Sequence, residues 1–351
     1  MPRTESLTGR PAGPWIPLVL LALLAGDPIA DAAATADEAE SLFARASALL
    51  ETRRPKALLE SAELFERVGE LQADHALAFS GLATTSCLLA LYSIEQPQDV
   101  LPRARRAAQT AVRLRPDLAQ AYAALGLVAF LYDWDWVLAE AHFRKSIDRD
   151  PAYAEVRHWY AMLLTARGRF SESVTSMDEA LRLAPKSRII NVKRGTVLTA
   201  AGRYREAEAQ LRAAITAFPS MALPWREIGF LELRRGDTEA ALVAFEEAAE
   251  LGGGPSKESA GLGHAYGVAG RHEEAREILD VLLRRSRESF VPPMYVALVY
   301  LGLGQRDHAL EWLEKALRIH DPGLVYLRIK PGFEALYDDP RFIEILARVG
   351  T

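Results

Sequence analysis

Apolar residues in this chain recur three and four positions apart, in paired runs separated by short polar turns. That pattern predicts amphipathic helices, each burying one stripe. The large apolar positions Phe143, Met177, Leu211, Phe245, Leu279 and Leu313 lie 34 residues apart. So do Gly168, Gly202, Gly236, Gly270 and Gly304. These glycines fall between two helical runs, where a left-handed residue closes the first helix. A second ladder, Gly195, Gly229 and Gly263, falls inside the first helix of each period. Glycine there costs roughly 1 kcal/mol against alanine, so a close helix–helix approach is expected. Ala207, Ala241, Ala275 and Ala309 are the expected facing small residues on the second helix. Pro151, Pro185 and Pro219 follow the second helices, which proline cannot continue.

A helix–turn–helix unit repeated every 34 residues is the tetratricopeptide (TPR) pattern. The expected fold class is all-α: a right-handed α-solenoid of about eight TPR units with a C-terminal capping helix. Residues 37–321 form the expected solenoid. Its first unit pairs a helix over Asp37 to Thr52 with one over Lys56 to Gln72. The second pairs Ala76 to Tyr92 with a helix opening at Pro102, across a long loop from Ser93 to Leu101. The third contains the turn Tyr132-Asp-Trp-Asp-Trp136, which carries an inserted residue. Residues 322–351 leave the period. Asp339-Pro340 reads as a helix start, from which Phe342, Ile345 and Leu346 would cover the last repeat.

Residues 1–36 have a different plan. Arg3 and Arg10 precede an uncharged apolar run from Trp15 to Ala25, and small residues alternate from Ala30 to Ala36. Basic start, short apolar core and small residues predict an export signal cleaved between Ala30 and Ala36. The apolar run is short of the 20 or so residues of a membrane span. The alternative is an uncleaved anchor that leaves the repeats outside the cytoplasm. The expected localisation is periplasmic or secreted, or inner-membrane anchored if the segment stays.

Composition narrows the chemistry. Net charge is −5, and no basic face is needed to account for it, so nucleic acid is not an expected partner. Cys87 is the sole cysteine, which excludes an internal disulfide and a cysteine metal cluster. The seven histidines show no metal-ligand spacing. Asp133, Asp135, Asp338 and Asp339 suit turns and helix starts. Gly252-Gly-Gly254 lacks the spacing of a phosphate loop. No catalytic set and no cofactor are expected, and the chain reads as a non-enzyme.

Ala78 to Ala83, Leu131 to Trp136, His158 to Ala161, Ile189 to Asn191, Leu310 to Ala316, Gly323 to Leu327 and Asp339 to Phe342 carry a further resemblance. Together they resemble the TPR half of bacterial winged-helix transcriptional regulators, receptor-type adenylate cyclases and some serine/threonine kinases, from about residue 38 to the end. The resemblance implies a sensing or docking module without the effector domain.

In TPR proteins the first helices line a concave groove. Aligning the repeats on their helix glycine places Glu155, His158, Met162, Thr196, Thr199, Arg226, Phe230, Lys257 and His264 there. The Lys/Asn clamp of TPRs that bind chaperone tails is not reproduced. Tyr132, Trp134, Trp136, Trp159 and Tyr160 gather near repeats three and four; inter-repeat packing accounts for them, and a peptide-binding patch is the sharper reading. The expected function is an exported scaffold that docks another protein or peptide in its groove. The alternative is a membrane-anchored sensory module that binds a small ligand, and a deep pocket in place of an open groove would favour it.

Overall fold

The computed structural model describes residues 28–252 and 257–350, with side chains over 35–252 and 259–350. Among these residues there are seventeen α-helices and no strand. Sixteen form eight antiparallel pairs. The pairs are α1 (Pro28–Thr52) with α2 (Pro55–Leu71), α3 (Ala76–Leu91) with α4 (Pro97–Leu114), and α5 (Ala119–Val128) with α6 (Trp136–Arg149). Next come α7 (Ala154–Ala166) with α8 (Phe170–Leu183), α9 (Arg188–Ala200) with α10 (Tyr204–Ala217), and α11 (Ala222–Arg235) with α12 (Thr238–Leu251). The last are α13 (Lys257–Val268) with α14 (His272–Arg285), and α15 (Pro293–Gly302) with α16 (Arg306–Arg318). The tail holds two short 3₁₀ turns, Pro322–Tyr326 and Glu334–Leu336, and then α17 (Pro340–Val349). The all-α solenoid of eight TPR units is the observed architecture.

The glycine ladder between helices is left-handed throughout, with φ from +71° at Gly168 to +79° at Gly236. One period upstream, the same register holds Trp134, and it too is left-handed, at φ +56°. The residue inserted in repeat three is absorbed by a π-helical turn over Ala129–Asp133, a common way to accommodate an extra residue in a helix. Asp135 then caps α6, accepting from the Leu138 backbone N–H at 2.9 Å.

The inner glycines make room for large side chains, not for alanines. A Cβ on Gly195 would stand 2.5 Å from the Leu211 side chain, and one on Gly229 would stand 2.5 Å from the Phe245 ring. The second helix thus inserts its bulky residue, four positions after the alanine, into a notch left by glycine. Backbone-to-backbone approach occurs elsewhere: Gly267 of α13 and Gly302 of α15 lie directly against each other's helices. Two further boundaries differ from expectation. Helix α1 begins at Pro28 rather than at Asp37, and so runs through the expected cleavage region. Helix α4 opens at Pro97, and Pro102 lies inside it. Pro97 takes the first helical position, where a missing N–H costs nothing. The apolar run from Trp15 to Ala25 lies outside the described residues, as does most of the glycine run after Gly252. Among the described residues no helix is long and apolar enough to cross a membrane.

The tail does more than sit on the last repeat. Helix α17 buries Phe342, Ile345, Leu346 and Val349, yet its end reaches repeat three, where Trp136 Nε1 donates to the Val349 carbonyl at 2.8 Å. The segment before α17 runs along the inside of the solenoid. Tyr326 packs edge-on against Phe130, Arg234 donates to the Ile329 carbonyl, and Gly332 lies against the His264 ring. A further bond joins the Gln98 amide to the Arg318 carbonyl at 2.9 Å. The superhelix is closed on itself by its own C-terminus.

Candidate functional site

The inward face of repeats four to six opens on a chamber of about 1080 Å³. Its wall runs from the turn after α1 through α7, α9, α11 and α15 to the tail. Six of the nine expected groove residues line it: His158, Met162, Thr196, Thr199, Arg226 and Phe230. The other three fall differently. Glu155 stands behind the wall and pairs with Arg53. His264 is covered by the tail and its Nδ1 bonds the Leu298 carbonyl at 3.0 Å. Lys257 opens α13, and its side chain lies outside the described residues.

The chamber is built around Glu227, which is 8 % exposed. Its carboxylate accepts from Lys193 Nζ at 3.1 Å, from Thr196 Oγ1 at 3.0 Å and from Arg226 at 3.3 Å. Burial alone would raise its pKa; Lys193, Arg226 and Lys330 outweigh burial and bring it down to about 2. Lys330 comes from the tail. Its ammonium sits 4.0 Å from the Phe230 ring centre and 5.8 Å from that of Tyr295, a cation–π placement. Burial, reinforced by Arg226, pushes Lys330 down to about 7 against the pull of Glu227. Nearby Asp321 is raised by burial to about 6, although it accepts from the Gly323 and Met294 backbone N–H groups.

On the opposite wall Arg53 holds a left-handed backbone, φ +56°, and sends its guanidinium across the superhelix to Glu155. One of its terminal nitrogens is buried without a partner, and so are both ring nitrogens of His158. The His158 ring packs on Trp159 at 4.3 Å, and burial drives its pKa down to about 3. Exposed Arg54 and Arg188 stand at the rim, and Arg188 donates to the Thr52 carbonyl at 3.0 Å.

Three of these groups had no obvious signal in the sequence: Arg53 sits in a turn, Asp321 is the last residue of the repeats, and Lys330 belongs to the tail that leaves the period. Lys193 and Glu227 did have one. They are 34 residues apart, so they hold one register position in successive repeats with opposite charge. The aromatic group of repeats three and four is used in packing, but across the superhelix. Trp134 stacks on His320 at 4.5 Å, Tyr132 lies 4.6 Å from the same ring, and His320 Nδ1 bonds the Tyr132 carbonyl at 2.6 Å. Trp159 is buried, and the Tyr160 hydroxyl donates to Glu140 at 2.9 Å.

Models of the tetratricopeptide repeat match residues 135–188, 192–257 and 294–320. The solenoid architecture and these matches show that the chain carries tetratricopeptide repeats. Among curated proteins, the Hsp70-Hsp90 organizing protein of Triticum aestivum is 31 % identical over 104 residues, which is 29 % of this chain and 18 % of that protein. Among solved structures, the APC/C hetero-tetramer Cut9–Hcn1 aligns with a TM-score of 0.56 at 19 % identity, covering 88 % of this chain and 55 % of that one. Yeast Tom70 aligns with a TM-score of 0.51 at 15 % identity, covering 88 % and 67 %. The chain thus spans about a fifth of the curated relative and about half of the Cut9–Hcn1 chain, and the structural likenesses concern the fold.

Proposed function

We propose that this protein is an exported scaffold, in the periplasm or outside the cell, which docks an acidic segment of a partner protein at the chamber's rim. One observation carries the reading: side chains from successive first helices line one chamber, and the exposed Arg54 and Arg188 belong to its lining. The tail fills the inside of repeats six to eight, so the rim is the accessible part of the concave side. Scaffolds of this repeat class bind through such inner faces, and edge cations steer and orient an acidic partner. The basic start and short apolar run of residues 1–25 support export.

Affinity capture from native envelope fractions tests both parts. The unmodified chain should retain a partner that elutes with salt, and the double variant Arg54→Glu, Arg188→Glu should lose it while keeping its helical content. The intact mass of the same captured chain should correspond to a start between Ala30 and Ala36. Retention by the charge-reversed variant would remove the docking site, and a mass that begins near Met1 would replace export of a free chain with the anchor.

A second reading, a module that responds to a small ligand, is favoured by the chamber itself. Its volume of about 1080 Å³ lies just above the usual range of ligand pockets, about 300–1,000 Å³.

A further inference from the structure

We propose that the chamber binds a small anionic amphiphile, its anionic head at Lys330 and Arg226 and its apolar body against Phe230, Met162 and Tyr295. The inference rests on the ligand reading above and is independent of partner docking.

The charges inside the chamber do not balance. Lys193, Arg226 and Lys330 face two carboxylates, Glu227 and Asp321. Eight cationic side chains line the chamber against two carboxylates, and a charge held away from water is costly without a counter-charge. The surplus is centred on Lys330. Its ammonium has ring faces beside it and no hydrogen bond or ion pair among the described residues, and the first charge acting on it is the repulsive Arg226. An anionic head group supplies a counter-charge at that ammonium.

The rest of the lining sets the shape of the ligand. Besides Phe230, Met162 and Tyr295 it includes Trp159, Phe218 and Phe290, a wall for an aromatic or aliphatic body. His158 adds a neutral imidazole whose two nitrogens have no partner in the protein. Buried polar atoms of this kind are rare without a reason, and a polar atom on the ligand body would satisfy one. The tail closes the inner side at Ile329 and Lys330, so the space suits a compact molecule and not a strand running along the groove.

The test uses the full chain and two fluorescent probes of the same ring size. 1-Anilinonaphthalene-8-sulfonate carries one negative charge, and N-phenyl-1-naphthylamine carries none. The sulfonate should bind saturably, one per chain, about tenfold more tightly than the neutral amine, the ratio expected of one charge-assisted contact. Decanoate should displace it and decanol should not. Lys330→Met, which removes that cation and keeps the bulk, should weaken the sulfonate about tenfold and leave the amine unchanged. Equal affinity for the two probes, or sulfonate binding indifferent to Lys330→Met, overturns the anionic class while leaving a ligand pocket. Failure of both probes to bind at one site overturns the pocket as well. Should Lys330→Met not fold, the preference of the unmodified chain between the two probes still decides.

Discussion

Single residues inside the solenoid carry its pH dependence. His158 is held neutral down to about 3 by burial, with Lys193 and Arg53 adding to the effect. In the unfolded chain it would take its proton near 6.5. Between those values the unfolded chain binds a proton that the folded chain refuses, so stability falls as pH drops from 6.5 towards 3. His264 is displaced in the same direction by burial. Asp321 works against them: its carboxyl, raised to about 6, holds a proton in the folded chain between 3.8 and 6 and favours folding there. His142 is lowered by burial as well, so three histidines stand against one aspartate, and the protein should lose stability on mild acidification. His158→Phe keeps a ring on Trp159 and removes the titration. The loss between pH 7 and pH 4 should shrink by on the order of 2–3 kcal/mol in urea titrations at the two pH values. Parallel losses in both proteins would mean that His158 protonates normally in the folded state.

At the scale of elements, three kinds of glycine do three jobs, and equal substitutions separate them. Gly202 is left-handed with open space around the missing Cβ, so Gly202→Ala costs only conformational strain, about 1 kcal/mol. Gly229 is an ordinary helical residue notched for Phe245. Gly229→Ala gains helix propensity but pushes a fully buried ring, for a net loss of about 1–3 kcal/mol. Gly267 faces the backbone of Gly302, which cannot rotate away, so Gly267→Ala should be the most damaging of the three. Chemical denaturation gives the order, and a Gly267→Ala protein as stable as Gly202→Ala would contradict the backbone contact. The sequence period made the first two ladders visible, because every repeat solves the same packing problem with the same residue type. It did not identify the partner of the notch, since an alanine and a bulky residue four positions later share one period and one face. Gly267 and Gly302 belong to no ladder. Six of the nine groove positions were readable from register alone, whereas Arg53 and Lys330 reach the chamber from a turn and from the tail, where no period constrains them.

At the scale of the whole molecule, closure by the tail sets this chain apart from an open array. In an open solenoid each repeat touches only its neighbours, and stability is close to a sum of local terms. Here repeat three is tied to the far end by Trp136 and Val349 and by the stack of Trp134 on His320. Repeat one is tied to repeats four and five by Arg53 with Glu155 and by Arg188 with the Thr52 carbonyl. These ties should make unfolding more cooperative than the repeat count alone would give. Trp134 offers a clean way to test this. It occupies the register position that glycine holds in the next five repeats, in the same left-handed conformation. Trp134→Gly therefore relieves local strain of about 1 kcal/mol while deleting the stack on His320. Adding Trp136→Phe removes the hydrogen bond to Val349 and keeps an aromatic ring in place. The double variant should keep its helical content. Its radius of gyration in solution scattering should rise as the tail detaches, and its urea transition should broaden with a lower m-value, the signature of lost two-state behaviour. If the scattering and the m-value both match the unmodified protein, the tail is held by its other contacts, Tyr326 with Phe130 and Arg234 with the Ile329 carbonyl among them, and the ties made by Trp134 and Trp136 contribute nothing to cooperativity.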